Sequence, residues 1–495
     1  MKHYDVAIVG YGPAGATLAH LLADCGLTVL VLERESAAYH LPRAVHFDAE
    51  VMRVFQWIGI ADKMEPLTHT HPGMRFVDAE GKLLLDWPRP QGVGPQGWRA
   101  NYRFHQPDLE KVLRDELVKR PGVDVRTRCD VFMLDDLGDE VELRFEDMTR
   151  GKVERARAKY VVGCDGARSL ARRFIESDMT DYGFHERWLV VDVILKGEKP
   201  ELGDHSIQYC DPARPATYVR GPGARRRWEI TVLDGEDSNE IARPEKVWEL
   251  LSPWLSPDEA ELERTAVYVF HSLVAKDWRK GRLILAGDAC HQTPPFMGQG
   301  MCAGTRDVSN LYWKLALICQ GKAPDAEALL DTYESERITN AAEYIETAVR
   351  LGGLINTAGT EAALRAALPA ANGSARMESI APPIGPGLGL GPKAGRLFGQ
   401  PRLTDGRYMD TLYKHQFVVV AEPAMLKGVT LPEGVAVVTT EHSDAADHLA
   451  RLGARATVLR PDRHTLGGAD TPAELAELLK RVLPAPIQLK TPELT

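Results

Sequence analysis

The sequence predicts an α/β protein built on a parallel sheet, with an antiparallel sheet inserted into it and a small α/β domain at its end. Three observations carry this. Apolar runs rich in β-branched residues alternate with a helical pattern at the start: YDVAIVG (4–10), AGATLAHLLADCG (14–26), LTVLVLER (27–34). Segments alternating every other residue cluster between about 180 and 275. Strand and helix patterns resume after a stretch rich in Gly and Pro at 368–406. At 495 residues the chain exceeds one ordinary core, so two or three domains are expected.

Each element follows from its local pattern. YDVAIVG ends on glycine and reads as a buried parallel strand. The helix after it stops at Gly26, and LTVLVLER completes a βαβ unit. KYVVGCDG (159–166) and RLILAGDA (282–289) are strands of the same type. PDLEKVLRDELVK (107–119) is an amphipathic helix opening on Pro107, which suits a first helical turn. WLVVDVIL, SIQYC, ATYVR, RWEITVL and TAVYVF read as an antiparallel sheet with one face covered. Residues 303–352 carry a helical pattern. APPIGPGLGLGPKAG reads as an irregular linker; no strand precedes its glycines, as a second nucleotide site would need. Beyond it, FVVVAE, GVAVVTT and RATVLRP alternate with SDAADHLARLG and TPAELAELLKRVL.

Composition narrows the function. A net charge of −10 argues against a nucleic-acid partner, and the RRR at 225–227 is expected to be a local, solvated patch. No apolar run reaches a membrane span, so no membrane partner is expected. A strand within four residues of the start leaves no room for a secretory signal. The seven cysteines are scattered and never in CxxC spacing, which fits reduced thiols and a cytoplasmic location.

GYGPAG (10–15) is a GxGxxG turn between a strand and a helix. Gly10, Gly12 and Gly15, with Pro13 and Ala14 between them, permit a tight turn and close approach of backbone to a pyrophosphate. The helix start adds unpaired N–H groups and a positive dipole end. Glu33 ends the second strand, eighteen residues after Gly15, where a carboxylate can bond ribose hydroxyls. The densest stretch, LAGDACHQTPPFMGQGMCAG (285–304), could be a metal site, a nucleophile with its base, or a cofactor loop. A metal needs three or four convergent ligands, but Cys290 and His291 are adjacent and Cys302 lies eleven residues on. Sequence neighbours seldom meet as a Cys–His pair. The backbone reading is favoured: Pro294 and Pro295 stiffen the approach, Gly298 and Gly300 admit a planar ring, and the helix start offers amides.

GYGPAG, GCDGARS (163–169) and LAGDACHQTPP (285–295), in that order, resemble the class A flavoprotein monooxygenases over residues 1 to about 345. The resemblance implies a Rossmann-like FAD domain of the p-hydroxybenzoate hydroxylase (GR2) type, formed by 1–75, 100–180 and 276–345. It implies an inserted antiparallel-sheet substrate domain (76–99 and 181–275), a helical or irregular linker (346–400), and a thioredoxin-like C-terminal domain (401–495). Asp165 would serve both FAD and NAD(P)H, Asp288 the flavin ribityl chain, and Glu33 the adenosine ribose. Arg34, Arg43, Gln106, Gly287, Pro295, Gly298, Gly300 and Met301 would also face FAD. Arg34 says nothing about a choice between NADH and NADPH, because its strand serves FAD. The plain alternative for Asp165 and Asp288 is capping of the turn after each strand. Cys302 stands where many class A enzymes have Asn, so no side-chain contact to flavin is assigned there.

The implied reaction consumes NADH or NADPH and O2: reduced FAD forms a C4a-hydroperoxide that hydroxylates a phenolic ring. LPRAVHFDAEVMRVFQWIGI (41–60) and PPFMGQGMCAGTRDVSNLYWKLAL (294–317) are similar to 3-(3-hydroxyphenyl)propionate hydroxylases and related phenol hydroxylases, which act ortho to an existing OH. The expected partner is a small phenol. The inserted sheet is the expected roof, with Tyr209, Tyr218, Arg220 and Trp228 lining it; an Arg there suits a carboxylate. His46, His205 and the tyrosines are candidate bases. The last domain lacks CxxC, so packing or oligomerisation, as a homodimer, is its expected role. Two other readings stay open: another FAD oxidoreductase on this fold, such as a reductase, epoxidase or halogenase (the last without its WxWxIP), and an FAD-binding protein without catalysis.

Overall fold

The βαβ unit forms where the apolar pattern places it: strand His3–Val9, helix Pro13–Asp24, strand Val29–Glu33. The computed structural model describes residues 2–38, 41–357 and 380–484; linker residues 358–379 and the last eleven, 485–495, lie outside this description. His3–Val9 runs parallel to Val29–Glu33 on one side and to Lys152–Gly163 on the other. Val123–Thr127 and Leu283–Leu285 extend this sheet in parallel. The first half of Lys152–Gly163 pairs antiparallel with Val141–Asp147, which pairs in turn with Cys129–Asp136. This hairpin adds to the expected elements; its signal is Val141, Leu143 and Phe145, buried and alternating with polar residues.

The second sheet has eight strands. Met179–Leu195 lies between Ala260–Ala275 and Arg225–Thr231; Ala216–Arg220, Ser206–Tyr209, Gly73–Val77 and Leu83–Pro88 follow outward. At the opposite edge His291–Gln292 pairs with Ala260–Ala275 and ties the sheet to the 285–304 stretch. Both faces are covered. Leu189, Val191, Tyr218, Trp228 and Ile230 pack in one cluster with Val247 and Leu251 of helix Pro244–Leu251, on the outer face. Alternation sends Trp188, Val190, Asp192, Arg227 and Glu229 to the inner face. Two of the three arginines in the run, Arg226 and Arg227, are therefore not solvated. Arg227 is 4% exposed and bonds both oxygens of Asp192, at 2.7 and 3.0 Å, and Arg226 is buried as well.

Helix Gly300–Cys319 is buried nearly all round and runs through the middle of the molecule. Its start faces the 285–298 stretch. Farther along, Trp313 packs on Phe417, and Lys314 meets Glu336, which also pairs with Arg460. These contacts, with Arg53 and Arg463 on Asp410, dock the C-terminal domain through buried ion pairs. That domain has a four-stranded sheet ordered Ala436–Thr439, Val418–Ala421, Ala456–Leu459, Thr465–Ala469, the first pair parallel and the others antiparallel. The last strand, TLGGA, is an addition: its glycines hide it from a propensity reading. Residues 381–395 run without helix or strand. Among the described residues no helix is long and apolar enough to cross a membrane.

Candidate functional site

The Gly10–Gly15 turn and the Asp288 turn follow the carboxyl ends of parallel strands His3–Val9 and Leu283–Leu285, where open α/β sheets bind ligands. Gly10 has φ +104°, and a Cβ there would stand 2.3 Å from the Cys164 carbonyl oxygen. A Cβ on Gly15 would stand 2.2 Å from the Gly10 oxygen. Only glycine builds this turn. Gly12 differs: nothing lies within 4 Å of its Cβ position, and it precedes helix Pro13–Asp24 with no side-chain cap. The helix thus presents bare amides to open space, a cradle for an anion. Glu33 accepts from the amides of Tyr11 and Glu35, each at 2.8 Å, and fastens the glycine loop from below. Arg34 is exposed and reaches Glu35.

Asp288 sits on the turn after Leu283–Leu285. It is exposed although protein surrounds it, as on the floor of a cleft; this enclosure pushes its carboxyl upward, while His291 and Arg43 pull the other way. Water reaching the open side moderates that shift. Gly287, φ +67°, packs against Ala14 and Gly304; a Cβ on Gly304 would stand 3.1 Å from the Gly287 Cα. Three small residues therefore bring the first helix, the Asp288 turn and the long helix together. Asp307 braces the turn from behind: Oδ2 accepts from the Gly287 amide at 3.0 Å and lies 2.7 Å from His291 Nε2, and Oδ1 accepts from Arg337 at 2.9 Å. Cys290, His291 and Asp307 thus do converge, which their sequence separation concealed. With Arg337 already on the carboxylate, the group is a buried brace for the turn, and a second cation there would be repelled.

Arg43 is exposed on a loop clamped from two sides. Gln106 Oε1 accepts from the amides of Arg43 and Ala44, at 3.2 and 2.7 Å, and Arg227 donates to the carbonyls of Pro42 and Arg43, at 2.7 and 2.8 Å. Gln106 is therefore a clamp on the loop. Asp165 divides its roles. Oδ2 caps the next helix, accepting from Leu170 and Ala171 at 2.6 and 3.1 Å, while Oδ1 is buried without a partner.

The turn Pro295–Met297 closes on Gly298, φ +62°, whose oxygen lies 3.4 Å from His46 Nδ1. Burial, reinforced by Arg103 and Arg89, pushes His46 far below the usual imidazole range, so it is neutral and a weak base. Gly300 opens the long helix with no side-chain cap before it and free space at its Cβ position; Met301 is half-buried beside it. Cys302 is fully buried, its thiol raised by burial, and it packs against the His46 and Gly298 carbonyls. An anion cradle at Gly12, an orphaned acceptor on Asp165, and an open carboxylate on Asp288 fit the pyrophosphate and polyol of FAD.

The roof departs from expectation. The Tyr209 ring lies tilted against Trp254, at 5.1 Å, and Tyr218 against Trp228, at 5.0 Å, all with the outer-face cluster. Arg220 shares their parity and pairs with Asp204 at 2.6 Å. His205 is half-buried, and burial, with Arg75 nearby, lowers its pKa. The inner face instead carries Phe76, Trp87, Trp188 and Phe270, packed with Phe296 and Met297 of the Pro295–Met297 turn. Trp188 and Phe296 meet edge to face at 5.9 Å. These aromatics join the inner face of the sheet to the Pro295–Met297 turn. The sequence signal for them was the parity of Trp188 with Asp192.

Residues 3–348 match the FAD binding domain family. A probable NADH-specific resorcinol 4-hydroxylase of Rhodococcus jostii (strain RHA1) is 37% identical over 514 residues, covering 98% of this chain and 95% of that protein. A 3-(3-hydroxy-phenyl)propionate/3-hydroxycinnamic acid hydroxylase of Escherichia coli (strain SMS-3-5 / SECEC) is 35% identical over 356 residues, 71% of this chain but 62% of that longer protein. Among solved structures, the flavin-dependent monooxygenase PieE with FAD and substrate shares the fold with a TM-score of 0.82 at 21% identity, over 97% of this chain and 98% of its own. Aklavinone-11 hydroxylase with FAD and aklavinone superimposes with a TM-score of 0.77 at 23% identity, over 98% and 99%. Glycine cradle, Asp288 floor and full-length likeness agree, and the chain belongs to the FAD binding domain family, among its class A flavin monooxygenases.

Proposed function

We propose that this protein hydroxylates a small phenol ortho to an existing hydroxyl, using FAD, O2 and a nicotinamide cofactor, with NADH preferred. The observation that carries this reading is the aromatic cluster of Trp87, Trp188 and Phe270 on the inner face of the sheet, packed with Phe296 and Met297 of the Pro295–Met297 turn. Aromatic side chains in this position would stack on a planar ring and keep water from the reacting face. The resorcinol hydroxylase relative supports both a phenol and NADH. The propionate hydroxylase relative supports the same ring chemistry on a carboxylated phenol.

FAD, when bound, supplies the redox chemistry between nicotinamide, dioxygen and the ring. The chain supplies binding and charge. Amides at the start of Pro13–Asp24 would hold the pyrophosphate, Glu33 the ribose and Asp288 the ribityl chain. The uncapped start of Gly300–Cys319 aims amides where negative charge on the flavin ring would sit, stabilising it without reorganisation. The Asp192–Arg227 pair holds the Arg43 loop over the cleft. We read the C-terminal domain as thioredoxin-like from its sheet order, with no redox role, since no cysteine follows Cys319.

The test is direct. The purified protein should show a flavin spectrum, oxidise NADH faster when resorcinol or a related phenol is added, and release a product with one more ring hydroxyl, adjacent to an existing one. A yellow protein whose NADH and NADPH oxidation ignores every phenol would overturn the reading.

A further inference from the structure

One side of the inner-face aromatic cluster is rich in donors and poor in acceptors. Ser206, Met74 and Trp87 are register partners on three adjacent strands, so their side chains share the inner face. Arg103, from strand Asn101–Arg103, reaches this row and donates from Nη2 to Ser206 Oγ at 2.9 Å. Arg103 is 9% exposed, and its Nε is buried with no partner. The indole N–H of Trp87, 2% exposed, is likewise buried with no partner. Arg89 lies over the Trp87 ring, 4.2 Å from its centroid, and adds positive charge.

The carboxylates nearby are otherwise engaged. Asp192 is held by Arg227 and Arg264, and Glu229 sits 3.7 Å from Arg227. Among the described residues no carboxylate pairs with Arg103. Burial pushes its guanidinium down to about 9, Arg89 pushes the same way, and Glu229 opposes them only in part. A buried guanidinium with a single neutral acceptor is unfavourable until an anion completes it.

Resting on the function proposed above, we propose that Arg103 and the Trp87 indole N–H form a subsite for a negatively charged oxygen of the aromatic substrate, carried as a carboxylate substituent or as the phenolate itself. Trp87 belongs both to the aromatic cluster and to the donor row, so one aromatic anion would meet both. The planar fork of Arg103 suits either oxygen.

The experiment titrates FAD-loaded wild type, Arg103→Met, Arg103→Lys and Trp87→Phe with resorcinol and with 3-(3-hydroxyphenyl)propionate, following the flavin absorbance and the phenolate band. Flavin content reports folding. Arg103→Met should weaken the held ligand at least about tenfold, the loss of one charge-assisted hydrogen bond, with Arg103→Lys and Trp87→Phe weaker in effect but in the same direction. Loss confined to the propionate identifies the carboxylate. Loss on resorcinol together with its bound phenolate band identifies the phenolate. Unchanged affinity for both ligands in Trp87→Phe and either Arg103 variant overturns the subsite while leaving the function standing. A wild type that binds neither phenol overturns the function itself, and the subsite with it.

Discussion

The floor and the roof of this site are built on different rules. The floor is made of backbone: glycines at 10, 12 and 15, the Gly287–Gly304 contact, and two helix starts without side-chain caps. The roof is made of side chains on one face of a sheet whose two faces are both buried. A floor of this kind demands particular residues at particular positions. A roof of this kind demands only that one parity face inward, and many residues meet that demand.

The largest effect is expected on the floor. Gly10→Ala puts a methyl 2.3 Å from a carbonyl oxygen in a φ +104° backbone, so FAD-loaded protein should be lost; a soluble variant with full flavin content would break the claim that backbone builds the floor. Next comes the strut between floor and roof. Asp192→Ala leaves Arg227 buried without its partner, at a cost of about 3–5 kcal/mol, read as a lower melting temperature; Asp192→Asn should cost less. Asp288→Ala should retain FAD roughly 10- to 100-fold less tightly, the loss of a hydrogen bond to a charged group, or should fail to be reduced; full activity would refute its role.

Behind the floor, burial raises the Glu336 carboxyl, but Arg460 and Lys314 outweigh it and hold it at about 2. The folded value is depressed, so this stabilisation is complete above the ordinary 4.5 and is lost as pH falls toward 2. Melting temperatures across that window should fall more steeply in wild type than in Glu336→Gln. The smallest effect is on the outer roof. Tyr218→Phe should leave phenol-dependent turnover unchanged, because the ring packs in the outer-face cluster; a large loss would return Tyr218 to the substrate site.

Legibility followed the same division. The GxGxxG turn and the Asp288 turn were readable because their geometry admits so few residues. Glu33, Gln106 and Asp165 bond to Tyr11, to Ala44 and to Leu170, contacts that depend on loops a sequence does not position. Asp307 escaped notice because helix Gly300–Cys319 brings it back sixteen residues to His291. On the roof, helix Pro244–Leu251 makes the outer face as apolar as the inner one, so alternation alone did not say which face held Tyr218 and which held Trp188. For the same reason a charge run read as solvated contained Arg227, whose parity sends it inward to Asp192.

The most direct test of the account compares hydroxylated product with NADH consumed, using resorcinol and the FAD-loaded wild type, Trp188→Ala and Tyr218→Phe. Product should keep pace with NADH in wild type and Tyr218→Phe. In Trp188→Ala product should fall behind NADH, as an opened inner face admits water to the reacting centre. No phenol-dependent oxidation in wild type, or uncoupling in Tyr218→Phe with Trp188→Ala intact, would contradict it.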